Sequence, residues 1–302
     1  DAARVDEAFA RAAHVAKLSL RNNRIVVCAM EPRAALGAWD AAEGRFTLRL
    51  GCQGVFGMRQ QMAGMMGVPV EKMRILTGNV GGSFGMKAPP YPEYIPLLHA
   101  ARALGRPVKW TDERTGSFVS DQQGRDHDVV GELALDADGA FLAVRLSAWA
   151  NLGGYVSTPG PMMPTANFVK NVQSNYRTPL IQVDTKCVVT NTSSIAAYRG
   201  AGRPEGNYFM ERLIEEAARI SGIDALALRR RNYIPSDAMP YATASNSLYD
   251  SGEFSAVLDK AVAASDPDGY AARKTESSAR GKLRGRGIGN YLEVTAPPVK
   301  EQ

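Results

Sequence analysis

Cysteine is scarce. Cys28, Cys52 and Cys187 are the three in 302 residues, scattered and without a C-x-x-C pair. That excludes a disulfide framework and a thiolate zinc site. Histidine is equally scarce: His14, His99 and His127 stand far apart, outside any H-E-x-x-H spacing. Each reads as a packed or surface imidazole, and no metal is expected to be held directly by protein side chains. Apolar residues never run to the ~20 that a membrane-crossing helix needs, so no membrane-spanning segment is expected. There is no strict glycine period, long polar tract or fixed-length repeat, which excludes collagen-like, disordered and solenoid classes.

The sequence also lacks an initiator Met and a charged-then-apolar leader, beginning Asp1-Ala2-Ala3. Residues 291–294 read as a strand just before the last residues, so the chain is expected to be an internal piece of a longer polypeptide. The net charge is +5. Dense basic runs occur only at Arg229-Arg230-Arg231 and from Arg273 to Arg286, which read as a solvated helix face and a loop. No nucleic-acid module accompanies them, so no nucleic-acid partner is expected. Asn191-Thr192-Ser193 has the form of a glycosylation sequon and reads as chance without a secretory signal.

What is present is an ordinary globular composition, 45% hydrophobic and 22% charged, enough for one large domain or two smaller ones. Periodicity predicts helices over 5–13, 55–66, 94–104, 204–220, 224–232 and 253–264. Within 55–66, Met58, Met62, Met65 and Met66 read as core rather than as ligands. Strands are predicted over 15–27, 45–50, 73–76, 107–110 and 180–189, with a strand–turn–strand over 126–151 turning at Asp138-Gly139. Residues 153–179, rich in Pro, Thr, Asn and Gly, read as a long surface excursion. Without regular βαβ alternation, the fold class is α+β, with mixed sheets and packed helices. A composition break over 236–251 marks the best internal boundary.

Three segments have the composition of a site, each following a predicted strand. The first is Gly51-Cys52-Gln53-Gly54, where Gln53 offers an amide donor and acceptor. The second runs from Gly78 to Lys87 and contains Gly81-Gly82-Ser83-Phe84-Gly85. It matches neither G-x-x-x-x-G-K-[ST] nor G-x-G-x-x-G, yet its glycines let backbone N–H groups approach an anion. A tight turn under a packed Phe84 is the alternative. The third runs from Ala197 to Glu205. Arg199 there presents a planar donor set suited to an oxyanion or a metal-oxo group. Glu205 reads as a helix first-turn carboxylate rather than a general base.

Together these segments resemble the molybdenum-cofactor-binding large subunit of the xanthine dehydrogenase and aldehyde oxidase family. The carriers are Met30-Glu31-Pro32-Arg33-Ala34-Ala35, Gln53-Gly54, Val80 to Gly85, Gly105-Arg106-Pro107-Val108-Lys109 and Ala197 to Glu205, in matching order along the chain. The resemblance implies a molybdenum-cofactor-binding architecture, with a first cofactor-binding domain over 1–250 and the truncated start of a second over 251–302. It implies a molybdenum hydroxylase that oxidises an aldehyde or N-heterocycle with oxygen from water. Electrons would pass to [2Fe-2S] clusters and FAD on partner subunits. The cofactor implied is a molybdenum pterin, in bacterial relatives commonly the molybdopterin cytosine dinucleotide. The partners implied are an iron–sulfur subunit, an FAD subunit, a second copy of the large subunit and a small-molecule substrate. The setting implied is the bacterial cytoplasm, with the periplasm as the alternative.

Residue by residue, Gln53 matches the glutamine that hydrogen-bonds an oxo ligand of the metal. Gly54, Gly82, Phe84 and Gly85 match the turns that reach the cofactor, and Arg199 matches the arginine whose charge assists catalysis. Ala201 falls where some members place an aromatic against a planar substrate, so a roomier pocket is expected. Gly200 stands where the copper-containing carbon monoxide dehydrogenases carry a cysteine; glycine cannot ligate copper, which disfavours that route. The family's catalytic glutamate, the general base, would lie outside this chain. The piece alone is then expected to hold about half the cradle and to be inactive. Two other classes stay open: a non-catalytic relative kept for subunit interaction, and a nucleotide- or anion-binding enzyme using the Gly81–Gly85 loop.

Overall fold

The computed structural model describes residues 2–293. Helix α1 (Ala2–Ala10) leads into strands β1 (His14–Asn22), β2 (Ile25–Val26), β3 (Ala34–Asp40) and β4 (Arg45–Leu50). Then come α2 (Val55–Met66), β5 (Met73–Leu76), α3 (Tyr94–Leu104), β6 (Val108–Thr111) and α4 (Arg114–Ser120). Strands β7 (Gln123–Gly124), β8 (His127–Leu135) and β9 (Phe141–Asn151) follow, then α5 (Phe168–Val172) and β10 (Ile181–Val188). The remainder is α6 (Arg203–Ser221), α7 (Ala225–Asn232), the ribbon β11 (Tyr241–Ala242) and β12 (Leu248–Tyr249), α8 (Phe254–Ala264) and α9 (Tyr270–Ala279).

Two four-stranded sheets organise the chain. One has the order β1-β8-β9-β10, antiparallel except for the parallel pair β9–β10. The other has the order β5-β4-β3-β6, antiparallel except for β4–β5. Each builds its own core, and the mixed directions bear out the α+β expectation. On the first sheet, Leu133, Val144 and Leu146 meet Phe209, Leu213 and Ile214 of α6. On the second, Phe46, Leu48 and Leu50 meet Met58 and Met62 of α2 and Leu97 and Leu98 of α3. Both of these shorter helices stop where expected, because Gly67 and Gly105 follow in the left-handed conformation that suits glycine.

Several expectations need correction. Residues 153–179 are not a surface excursion: they contain a π-helical turn (Met163–Asn167) and α5, and Phe168, Val172 and Tyr176 lie in the first core. Some of their buried polar groups are tied to distant segments: Asn171 Nδ2 donates to the Arg203 carbonyl and Gln173 Oε1 accepts from Ala244 N. Met65 is exposed, while Met66 packs at the core edge. Arg229 is not on a solvated face; its side chain is fully buried and paired with Glu211 and Glu215 of α6. Half of the basic stretch 273–286 is helix α9 rather than loop. The strand over 15–27 is broken between β1 and β2. Residues 291–293 have no strand structure, and Val294 lies outside the described residues.

Candidate functional site

The three chemistry-bearing segments meet. The Gln53 side-chain oxygen accepts from Ser83 Oγ at 2.6 Å and from the Gly85 amide at 2.8 Å. This ties the turn before α2 to the glycine loop, and the Gln53 amide reinforces it by donating to the Lys87 carbonyl at 3.2 Å. The Arg199 amide donates to the Phe84 carbonyl at 2.9 Å, so the third segment joins the same loop. The Arg199 guanidinium lies 5.8 Å from the centre of the Phe84 ring, in cation–π range.

The loop needs its glycines. Gly85 has φ +99, and a Cβ there would lie 2.4 Å from the Ala197 carbonyl oxygen. Gly82 has φ +104 and packs under the Phe84 ring and against Ala29. Phe84 itself has φ 52, and its ring covers Gly82 on one side while staying partly exposed on the other. The loop is held from below by an ion pair that sequence reading did not single out. Glu31 Oε2 accepts from the Gly81 amide at 3.0 Å and from Lys87 Nζ at 2.7 Å. The Lys87 contact holds the Glu31 carboxyl below its ordinary range, against a smaller opposing effect of burial. The sequence signals for this pair were Glu31's place among the family-like residues and Lys87's place at the end of the glycine segment.

The outer residues differ in placement. Gly54 precedes α2 with φ 127 and open space around it, so the first helical amides carry no side-chain cap. Ala201 makes no hydrogen bond to the glycine loop among the described residues: its amide donates to the Tyr198 carbonyl, and its own carbonyl accepts from Asn167 Nδ2 at 3.0 Å. Glu205 is almost wholly buried and caps α6 by accepting from the Gly202 amide at 2.9 Å, as its first-turn position implied. Burial pushes its carboxyl up, with Arg125 opposing that shift.

Two groups at the meeting point are uncommitted. Among the described residues, nothing accepts from Gln53 Nε2, and no carboxylate pairs with the Arg199 guanidinium. The neighbouring acids are already neutralised, Glu31 by Lys87 and Glu205 by Arg125. The joined segments therefore carry an amide donor, a cation and close-approach backbone, a set that attracts an anionic or oxygen-rich group. No cluster of three His, Cys, Asp or Glu that could hold a metal directly occurs among the described residues. Nor is any described helix long and apolar enough to cross a membrane.

Residues 1–233 match the family described as molybdopterin cofactor-binding domain. The chain is 30% identical to the carbon monoxide dehydrogenase large chain of Hydrogenophaga pseudoflava over 99% of this chain and 38% of that one. It is 31% identical to the 6-hydroxypseudooxynicotine dehydrogenase complex subunit gamma of Paenarthrobacter nicotinovorans, over 96% of this chain and 37% of that one. The crystal structure of quinoline 2-oxidoreductase from Pseudomonas putida 86 superposes with a TM-score of 0.86 at 27% identity, covering 92% of this chain and 35% of that one. The chain thus spans between 35% and 38% of the length of these relatives.

Proposed function

Because this chain belongs to the molybdopterin cofactor-binding domain family, we propose that it forms part of the cofactor cradle of a molybdenum hydroxylase. The observation that supports the reading is that Gln53 and Arg199 both join the Phe84–Gly85 turn, with the Gln53 amide nitrogen and the Arg199 guanidinium not paired to any carboxylate among the described residues. Such a set fits an oxygen-bearing metal–pterin group better than a cation. Gln53 Nε2 would donate to it, and the Gly54, Gly82 and Gly85 backbone would allow close approach. Arg199 would offset negative charge that develops during the reaction.

When bound, the cofactor supplies a two-electron acceptor for oxidation of a carbon centre with oxygen taken from water. The residues of this chain hold and orient. Glu31 and Lys87 keep the glycine loop in place, and Ser83 and the Gly85 amide fix the Gln53 carbonyl so that its amide nitrogen faces outward. Glu31 and Glu205 are both engaged in ion pairs, and the family resemblance assigns proton abstraction to a glutamate outside this chain. On that basis residues 1–302 alone would be inactive.

The finer parts of the reading are proposals of the same kind. The pterin is taken to be the cytosine dinucleotide form. Partner subunits are taken to carry [2Fe-2S] clusters and FAD, with a second large subunit completing the assembly in a bacterial cytoplasm. Residues 1–250 are assigned to a first cofactor-binding domain and 251–302 to the start of a second. The relatives are named for carbon monoxide, 6-hydroxypseudooxynicotine and quinoline. An N-heterocycle or aldehyde is the substrate class proposed here, because Gly200 offers no thiol for copper and Ala201 leaves room for a planar ring. The test is a screen of aldehydes and N-heterocycles with an artificial electron acceptor on the full-length complex. Turnover of a member of either class supports the reading; turnover of carbon monoxide alone refutes the substrate assignment.

A further inference from the structure

The Arg199 peptide is held from both sides, and one of the two holders plays no part in the site as described so far. Arg125 follows β7 and is nearly buried. Its Nη1 donates to the Tyr198 carbonyl at 3.0 Å and to Glu205 Oε1 at 3.0 Å, and its Nη2 donates to the Arg199 carbonyl at 2.8 Å. The guanidinium also lies 4.9 Å from the centre of the Tyr198 ring. The second Glu205 oxygen accepts from the Gly202 amide at 2.9 Å. Arg125 and Glu205 together thus grip the turn at residues 198, 199 and 202. On the other side, the Arg199 amide is committed to Phe84. Of Arg199, only the guanidinium is left to meet a ligand.

The backbone that aims Arg125 is strained. Arg125 and Asp126 have φ of 70° and 75°, two successive non-glycine residues in the left-handed region, each costing about 1–2 kcal/mol. Surrounding bonds offset that strain. The Asp126 carboxylate accepts from Arg24 Nε and Asn151 Nδ2, both at 2.9 Å. The preceding strand is stitched to the approach of the turn, Gln123 N to Ser194 O and Ala196 N to Gln123 O. Gly124 lets the two chains touch: a Cβ there would lie 2.5 Å from Tyr198 Cβ. Strain kept in place by this many contacts points to a required geometry.

We propose that Arg125 and Glu205 are positioning residues that lock the 198–202 turn and so pre-orient the Arg199 guanidinium toward the bound group. This rests on the cofactor reading above. The role needs the planar fork of arginine, since one guanidinium serves two carbonyls and a carboxylate at once; lysine keeps the charge but cannot span all three.

The test uses the full-length protein in its complex, with variants Arg125→Lys, Glu205→Gln and, as a control, Glu211→Gln. Glu211 is a buried acid paired with Arg229 in the first core, away from the turn. Amide hydrogen exchange at residues 199–203 is read beside thermal unfolding and molybdenum content. Losing hydrogen bonds to a charged group predicts exchange about tenfold faster or more at 199–203 in both Arg125→Lys and Glu205→Gln. Glu211→Gln should lower the unfolding temperature yet leave those amides within about twofold of wild type. Exchange unchanged in both clamp variants, or raised equally by Glu211→Gln, overturns the proposal. Wild-type protein that holds the turn rigid but carries no molybdenum overturns the cofactor reading instead, and the clamp is then judged by exchange alone.

Discussion

Gly85→Ala attacks the joint between the glycine loop and the arginine turn. The added Cβ would lie 2.4 Å from the Ala197 carbonyl oxygen and 2.9 Å from its carbon, at a backbone φ of +99. The left-handed conformation alone costs an alanine about 1–2 kcal/mol. The clash is with backbone, so the two segments must separate. That strains the 2.8 Å bond from the Gly85 amide to Gln53 and the 2.9 Å bond from the Arg199 amide to Phe84. At about 1 kcal/mol for each bond lost, the variant should be destabilised by about 3–4 kcal/mol. Gly67→Ala is the matched control: Gly67 has φ +64 and no heavy atom within 4 Å of a built Cβ, so it carries backbone strain alone, about 1–2 kcal/mol. Urea unfolding of both variants, followed by circular dichroism and tryptophan fluorescence, reads the difference. If Gly85→Ala costs no more than Gly67→Ala, the loops do not press together as described and the reasoning fails.

Three further perturbations have definite outcomes. Arg33 is fully buried, 2.6 Å from the equally buried Asp121 and 3.8 Å from the centre of the Tyr91 ring; Arg33→Met strands that carboxylate and should cost about 3–5 kcal/mol in chemical unfolding, whereas a loss under 1 kcal/mol would show the pair to be dispensable. Burial lowers His127 from its ordinary 6.5 to about 4, so the folded protein keeps it neutral while the unfolded chain takes up a proton first as pH falls. Stability present above pH 6.5 is then lost between about 6.5 and 4, on the order of 3 kcal/mol in all, and His127→Gln should flatten that part of the pH–stability curve; an unchanged slope contradicts the assignment. Gly200→Cys would place a Cβ 2.5 Å from Pro204 Cγ at φ +86. It should destabilise the protein by about 2–4 kcal/mol, and a variant melting like wild type would show that the turn accepts the residue found in the copper enzymes.

Local signals accounted for much of the architecture. Helices α2 and α3 were legible to the residue because apolar spacing and a following left-handed glycine agree, and the β8–β9 hairpin because Asp138-Gly139 supplies its turn. Residues 153–179 were misread because Pro, Thr, Asn and Gly ordinarily mark surface; here Asn171 and Gln173 satisfy buried backbone from distant segments, a pairing without local period. Arg229 was misread for the same reason, since its partner Glu211 sits one helix earlier and only the α6–α7 packing buries both. At the candidate site, Gln53, Gly85 and Arg199 were singled out together through resemblance, each being weak in isolation. Glu31 and Arg125 act on backbone, and Lys87 on the Glu31 carboxylate, rather than on a ligand, and sequence alone does not reveal which oxygen a buried cation will reach.

The most direct test is the molybdenum and pterin content of the full-length protein, measured for wild type, Gln53→Ala and Arg199→Ala, with circular dichroism as the check on folding. The account predicts near-stoichiometric molybdenum and pterin in wild type, and a clear loss in both variants without loss of secondary structure. Folded variants that retain as much of both as wild type would contradict it.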